Sequence, residues 1–286
     1  MDVYEALYTT RAMRRVRPDP IPEDVQARIL DAAIRAPSGG NAQNWKFLLV
    51  DDPVVRGKLA PLYRQALSTL WDTFYADRLA AARADADSPE SASMLRVQRS
   101  ADWLADHFAE VPLYLFAFIQ FDPSGGSIFP SVWSAQLAAR AEGVGSALTS
   151  VLGVFYAAEV LEILGVPPDE GWINVCCVSF GYPTGKWGVA ERRPVHEVAA
   201  RNRWDGPLGF EVPRLVVGNY SLVGVYAGAY SRGERVEMTD ALTGLVARGE
   251  LVPHVTPVAF DDLPAALAGV AAGTTLGRPV AVLPGV

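Results

Sequence analysis

The sequence predicts an α+β or α/β domain, on three observations. Helix-length amphipathic stretches dominate the first two hundred residues. Between them lie a few short, largely apolar runs of strand length that read as buried strands. Beyond residues 204–207 (Trp-Asp-Gly-Pro) the composition turns β-rich, which marks a second, smaller unit.

The elements follow in chain order. Residues 22–36 predict the first strong helix. Pro22 suits the first helical position, Glu23 and Asp24 complement the positive helix start, and Val25, Ile29, Ala32, Ala33 and Ala36 share one face. Pro37-Ser38-Gly39-Gly40-Asn41 breaks it, and residues 45–50 read as a buried strand. One long helical stretch is expected over 54–83, then a polar loop or lid over 85–91 and a helix over 94–108. Residues 112–121 predict a core strand, 129–142 a buried helix, 157–164 a short helix and 172–180 a third strand. In the tail, 215–230 reads as β-rich, 239–247 and 259–270 as helices and 280–283 as a last strand, with 202–213 as linker. The domains expected are therefore 1–204 and 205–286.

At 286 residues with 50% hydrophobic and 20% charged content, the chain can bury a substantial core. Its formal net charge of −7 argues against an extended nucleic-acid surface, although a local basic cluster can still grip a small anion. Cys176 and Cys177 are neighbours in an apolar run. On a strand they point to opposite faces and cannot form an ordinary disulfide with each other. The amino terminus has neither the basic nor the apolar region of a secretory signal, and no window reaches the apolar length of a membrane span, so a cytoplasmic location is expected.

Metal chemistry has no sequence support. His107, His196 and His254 are scattered, and neither HExxH nor CxxC spacing occurs. A GxSxG elbow, a phosphate-binding lysine loop and a full GxGxxG are also missing; Gly143-Val144-Gly145-Ser146 starts like a dinucleotide loop but lacks the third glycine and follows a helix. What remains is a pattern of arginines and one polar turn. Arg11, Arg14, Arg15 and Arg17 fall close together in an otherwise acidic chain, as a bidentate phosphate clamp or as a solvated basic face. Ser38, Gly39, Gly40, Asn41 and Gln43 combine permissive backbone with neutral donors and acceptors, suited to a heteroaromatic edge or to an ordinary helix-to-strand turn. Arg192-Arg193-Pro194 makes a second arginine pair.

Taken together these segments resemble the FMN-dependent nitroreductase family over about residues 4–200. The resemblance rests on Thr10-Arg11-Ala12-Met13-Arg14, a helix motif from Pro22, and Ala36-Pro37-Ser38-Gly39-Gly40-Asn41-Ala42-Gln43-Asn44-Trp45. Glu142-Gly143-Val144-Gly145-Ser146, Leu164-Gly165-Val166-Pro167 and Ser179-Phe180-Gly181-Tyr182-Pro183 complete it, in the family's order and at its separations. It implies a three-layer α+β flavoprotein with a mostly antiparallel central sheet, FMN at a homodimer interface, and no protein acid or base as a catalytic residue. By position, Arg11 and Arg14 would hold the FMN phosphate and ribityl chain with Arg192 or Arg193. Ala12 stands in the same segment where the family usually has serine. Ser38, Gly39, Gly40 and Asn41 would border the flavin ring from the partner subunit with Gln43 nearby, and Thr149 and Ser150 would offer backbone donors near flavin N5. Asn44 replaces the proline that the family has before tryptophan.

The function implied is hydride transfer from NADH or NADPH through FMN to nitroaromatics, quinones or other flat electron-poor acceptors. The alternatives are a specialised flavoprotein of the same fold (dehalogenation, azole oxidation or flavin breakdown) and a non-enzymatic flavin-sequestering protein. Trp71, Phe74, Phe108 and Phe155 can wall an acceptor pocket or serve as plain core. The tail, through the β-rich run at 215–230, Gly249-Glu250-Leu251-Val252-Pro253 and Leu276-Gly277-Arg278-Pro279, resembles the last part of zinc-independent quinone oxidoreductases of the medium-chain dehydrogenase/reductase superfamily. It lacks that family's glycine-rich nucleotide loop, and a packing or dimerisation appendage is the expected role.

Overall fold

The computed structural model of the chain describes residues 1–207, 232–248, 255–259, 262, 264–265, 268 and 278–282. The chain divides into two compact units, Met1–Asn219 and Tyr220–Val286.

The first unit is built on a four-stranded antiparallel sheet of order β1-β2-β4-β3, formed by β1 (Trp45–Val50), β2 (Leu113–Ile119), β3 (Gly145–Thr149) and β4 (Ile173–Gly181). Every residue of β2 is buried, so both faces of the sheet must be covered. Alternation on β2 divides its side chains accordingly. Tyr114, Phe116 and Phe118 enter one core with residues of α3 (Pro53–Thr73), α5 (Pro89–Asp106), α7 (Val151–Phe155) and α8 (Ala157–Ile163). Leu113, Leu115, Ala117 and Ile119 enter the other, against α2 (Glu23–Ala33) and α6 (Ile128–Ala141). The result is helix, sheet, helix in three layers. A short α1 (Val3–Thr9), capped by Asp2 accepting from the Glu5 amide at 2.8 Å, precedes these elements, and α4 (Ala76–Ala84) packs with α5.

The adjacent cysteines follow the strand rule: Cys176 belongs to one core and Cys177 to the other, and both are free thiols. Burial pushes the Cys176 thiol up to about 12, and burial, with Cys176 beside it, raises Cys177 well above the ordinary thiol range. A thiol whose pKa is raised on folding contributes stability that is complete below the unfolded value and is lost as pH rises above it. Neither thiol of the native protein is therefore expected to react with an aromatic disulfide reagent at pH 8, whereas both should react in denaturant. Prompt reaction of one equivalent without denaturant would overturn this packing.

Three expectations need correction. The stretch 54–83 is two helices, because the chain turns at Phe74 and Tyr75 between α3 and α4, while Pro61 is accommodated inside α3. Residues 85–91 are not a loop throughout: Ser88 caps α5 by accepting from the Ser91 amide, and Pro89 is already helical. The sequence reading also left out α1, β3 and α7.

In the second unit, α9 (Arg232–Ala247) begins well before the expected 239. Strand β5 (Val255–Ala259) pairs in parallel with β6 (Arg278–Val282). Ala259 thus closes a strand instead of opening a helix, and β6 starts two residues before the strand expected at 280. The β-rich run at 215–230 and His254 lie outside the described residues. Among the described residues no helix is long and apolar enough to cross a membrane.

Candidate functional site

The site is built on the extended segment 10–17 that follows α1. Thr10 closes the helix by donating its hydroxyl to the Ala6 carbonyl at 2.7 Å. The segment then threads between the start of β3 and the exit of β4. Ala12 bridges Ser146, and the Met13 amide donates to the Ser146 carbonyl at 2.8 Å. Val16 bridges Pro183, the Arg17 amide donates to the Tyr182 carbonyl at 2.8 Å, and the Thr184 amide to the Arg15 carbonyl at 3.0 Å. Two glycines permit this approach. A Cβ on Gly145 would stand 2.9 Å from the Met13 Cβ, and one on Gly181 would stand 2.7 Å from Val16.

With Met13 and Val16 buried, the arginines between them turn outward into a groove of about 590 Å³. Arg11, Ala12, Arg14 and Arg15 form one wall, and Ser93, Arg96 and Ser100 of α5 form another. Each guanidinium is held differently. Arg11 donates to the Lys186 carbonyl at 3.0 Å, Arg15 lies 5.9 Å from the Trp103 ring, and Arg17, outside the groove, pairs with Asp19 at 3.1 Å. Arg14 is half-buried, and burial lowers its pKa, with the nearby Tyr63 opposing. Among the described residues no salt bridge engages Arg14, Arg15 or Arg96.

Tyr63 connects this groove to the end of β3. Its hydroxyl, pushed up to about 12 chiefly by burial, lies near the Thr149 side chain and within electrostatic reach of Arg14. Ser150 follows as the residue that precedes α7. The structure thus gathers Arg11, Ala12, Arg14 and, through Tyr63, Thr149 and Ser150 on one side of the sheet.

The 38–43 turn lies elsewhere in the same chain. It is tightly organised: Ser127 Oγ accepts from the Gly39 amide at 3.2 Å, Ser38 Oγ accepts from the Gln43 amide at 3.2 Å, and Gln43 Nε2 donates to Asn41 Oδ1 at 2.9 Å. Gly40, Asn41 and Gln43 all have positive φ, at 58°, 54° and 48°. For Gln43 that conformation costs about 1–2 kcal/mol, which the surrounding bonds must offset. The turn leads into Trp45, which is in register with Ile119 and through it with Ile173. Ser146, beside Ala12, is in register with Phe180. The turn and the arginine groove therefore sit at opposite edges and opposite ends of the sheet, separated by roughly 14 Å across it and roughly 24 Å along it.

Arg192 and Arg193 also stand apart from the groove. Both are exposed; Arg192 donates to the Glu191 carbonyl at 2.8 Å, and Arg193 lines a different groove with His196 and Trp204. Of the aromatic candidates, Phe108 is wholly buried core, Trp71 and Phe155 pack against that core, and Phe74 is 70% exposed. His107 caps α5, stacked on Trp103 at 4.1 Å, and His196 lies in an exposed turn. Among the described residues no group of three or more His, Cys, Asp or Glu side chains is placed to hold a metal ion.

Comparison with known proteins gives these features a context. The model of the nitroreductase family matches residues 7–182, from the arginine segment to the exit of β4. The chain belongs to the nitroreductase family. A 5,6-dimethylbenzimidazole synthase of Rhodobacter capsulatus is 30% identical over 189 residues, which cover 61% of this chain and 81% of the relative. A protein of the same name from Rhodospirillum rubrum is 29% identical over 223 residues, or 70% of this chain and 94% of that one. Among solved structures, oxidised iodotyrosine deiodinase bound to FMN and 3-iodo-L-tyrosine aligns over 71% of this chain and 99% of its own, with a TM-score of 0.56 at 22% identity. That likeness is one of fold.

The sequence reading overlooked several parts of this family member's groove. Tyr63 gave no signal, because a buried tyrosine in a helix reads as core. Ser93, Arg96 and Ser100 share a helix face at spacings of three and four, but such a polar stripe is what any exposed helix shows.

Proposed function

We propose that the protein is an FMN-dependent NAD(P)H oxidoreductase. The observation that carries this reading is the half-buried Arg14, which has no carboxylate partner among the described residues and faces a groove with three further guanidiniums. A cation held away from water without an internal counter-ion suits a phosphate supplied from outside, and planar guanidiniums match its oxygens bidentately. The donor set thus fits the phosphate of FMN. FMN held there would supply two-electron chemistry, by which hydride from NADH or NADPH would reach a nitroaromatic, a quinone or a similar flat acceptor in ping-pong order.

The chain's own residues then have distinct tasks. Arg11 and Arg14 would hold the phosphate end, with the exposed Ala12 between them. Thr149, near Tyr63, and Ser150 offer donors on the same side of the sheet. The strained 38–43 turn, with Gln43, supplies neutral contacts to the ring edge. Because it stands at the far corner of its own sheet, it is assigned to the site of a second chain in a homodimer, and Arg192 or Arg193 joins from its exposed loop. An apolar pair suited to self-association is present on α6, where Phe129 and Trp133 are exposed one helical turn apart at the edge of that helix's buried face. The setting proposed is the cytoplasm.

A second reading is a specialised flavoprotein of the same fold, flavin breakdown among the candidates; it is supported by relatives matched over most of their length that are named for a different product, 5,6-dimethylbenzimidazole. A flavin-sequestering role is the third. One experiment separates them. Purified protein is examined for flavin absorbance, then given NADPH or NADH without oxygen, then a quinone or nitroaromatic. Bleaching with either coenzyme and recovery with the acceptor is the expected result. Conversion of added reduced FMN to a benzimidazole under oxygen would replace it with the second reading, and yellow protein inert in both assays would support the third.

The extension 205–286 is proposed to be a packing or dimerisation appendage. Ending the chain after Trp204 is expected to leave the flavin content unchanged, measured by absorbance at equal protein concentration. Loss of folding in the shortened chain would overturn that boundary.

A further inference from the structure

The groove at segment 10–17 holds more positive charge than one FMN phosphate neutralises. A phosphomonoester carries about −1.5 to −2 at neutral pH. Four guanidiniums line the groove, those of Arg11, Arg14, Arg15 and Arg96, and among the described residues no carboxylate side chain does. This concentration occurs in a chain whose net charge is −7. The groove's volume of about 590 Å³ also exceeds what one phosphate group occupies.

The four cations differ in their surroundings. Arg11 donates to the Lys186 carbonyl, and Arg14 is half-buried near Tyr63. Arg15 turns toward α5, where Trp103 lies against its guanidinium at 5.9 Å, and Arg96 stands on the same helix. Ser93 and Ser100 of α5 line the same groove with their hydroxyls, as does Thr184, whose Oγ1 donates to the Arg15 carbonyl at 3.3 Å. Two guanidiniums with the serine hydroxyls beside them are a donor set for a second dianionic phosphate.

We propose that Arg15 and Arg96, with Ser93, Ser100 and Thr184, form a second phosphomonoester site that takes the phosphate of a co-substrate. The proposal rests on the reading in which Arg11 and Arg14 hold the FMN phosphate. Two sources share this chemistry: the 2′-phosphate of NADPH, which NADH lacks, and a phosphorylated electron acceptor.

The test is calorimetric titration of the full-length, FMN-loaded protein with inorganic phosphate and with 2′,5′-ADP, in the wild type and in Arg96→Gln. Arg96 is exposed on a helix surface, so the variant is expected to fold as the wild type does. The loaded wild type should bind about one equivalent of phosphate per chain, and Arg96→Gln should bind it at least about tenfold more weakly while keeping its flavin absorbance. If NADPH is the source, 2′,5′-ADP binds with the same dependence on Arg96 and the variant's KM rises for NADPH but not for NADH. If the source is a phosphorylated acceptor, phosphate binding still depends on Arg96 while both coenzymes behave alike. Phosphate affinity unchanged in Arg96→Gln, or flavin lost from it, would overturn the second site. Should the wild type refuse FMN altogether, two phosphates bound per chain against one in the variant would keep the second site and remove the flavin reading.

Discussion

Arg14→Ala is expected to lose FMN during purification. Of the arginines in segment 10–17, Arg14 is the one with a half-buried guanidinium, and no salt bridge among the described residues claims it. A charge-assisted bond from such a group to a phosphate contributes about 1.5–3 kcal/mol, so its removal weakens binding roughly 10- to 150-fold. The same truncation leaves Tyr63 and Thr149 near each other, which should preserve the fold. Flavin absorbance per chain and a fluorescence titration with FMN measure the effect, and circular dichroism controls for folding. A folded Arg14→Ala protein with the flavin content of the wild type would sink the assignment of this groove to the cofactor phosphate. Arg17→Ala is a useful comparison, because Arg17 is paired with Asp19 and lies outside the groove; it should retain flavin.

Phe108→Ala should produce the largest loss of stability. The side chain is wholly buried, with its ring centroid 4.2 Å from that of Tyr114 and 4.8 Å from that of Tyr63, and its carbonyl accepts the Tyr114 hydroxyl at 2.9 Å. Truncating a buried phenylalanine costs about 3–5 kcal/mol, from lost transfer energy and an unfilled cavity. In a domain of this size each kcal/mol lowers Tm by about 2–4 °C, so thermal unfolding should shift down by roughly 6–20 °C. The ring also supports Tyr63, which lies near Thr149, so retained FMN affinity is expected to fall modestly as well. A melting temperature within a degree or two of the wild type would mean that the aromatic stack is not the core it is described to be.

Much of the layered body is legible in the order of the amino acids. Strand β1 falls on the residues expected, and α2, β2, α6, α8 and β4 fall within a few residues of expectation, because each is long or strongly apolar and bounded by Pro, Gly or a cap. The elements that escape such reading are those whose stability is not local. Strand β3 has five residues and begins on Gly145; it exists because it pairs with β4, Gly145 against Gly181 and Thr149 against Cys177. The break between α3 and α4 has no proline or glycine to announce it. It falls at Phe74 and Tyr75, whose rings meet Phe155 at 6.4 Å and Trp71 at 5.3 Å. Pro61, the residue that would suggest a break, stays inside a helix. In these places tertiary contacts outweigh local propensity.

The amino-acid order by itself determined the fold class, the family, and the candidate set of arginines and polar turn residues, because periodicity and motif spacing are properties of the chain. Only the tertiary structure decided what those residues can do together. Arg11, Arg14, Arg15 and Arg17 are alike in sequence, yet one hydrogen-bonds a carbonyl, one faces an indole, one is neutralised by Asp19 and one is half-buried beside Tyr63. Arg96 joins them from a helix eighty residues away, while the 38–43 turn is carried to the opposite corner of the sheet. The physical reason is that burial and counter-ion distance set the electrostatic character of a guanidinium, and both depend on how distant segments pack.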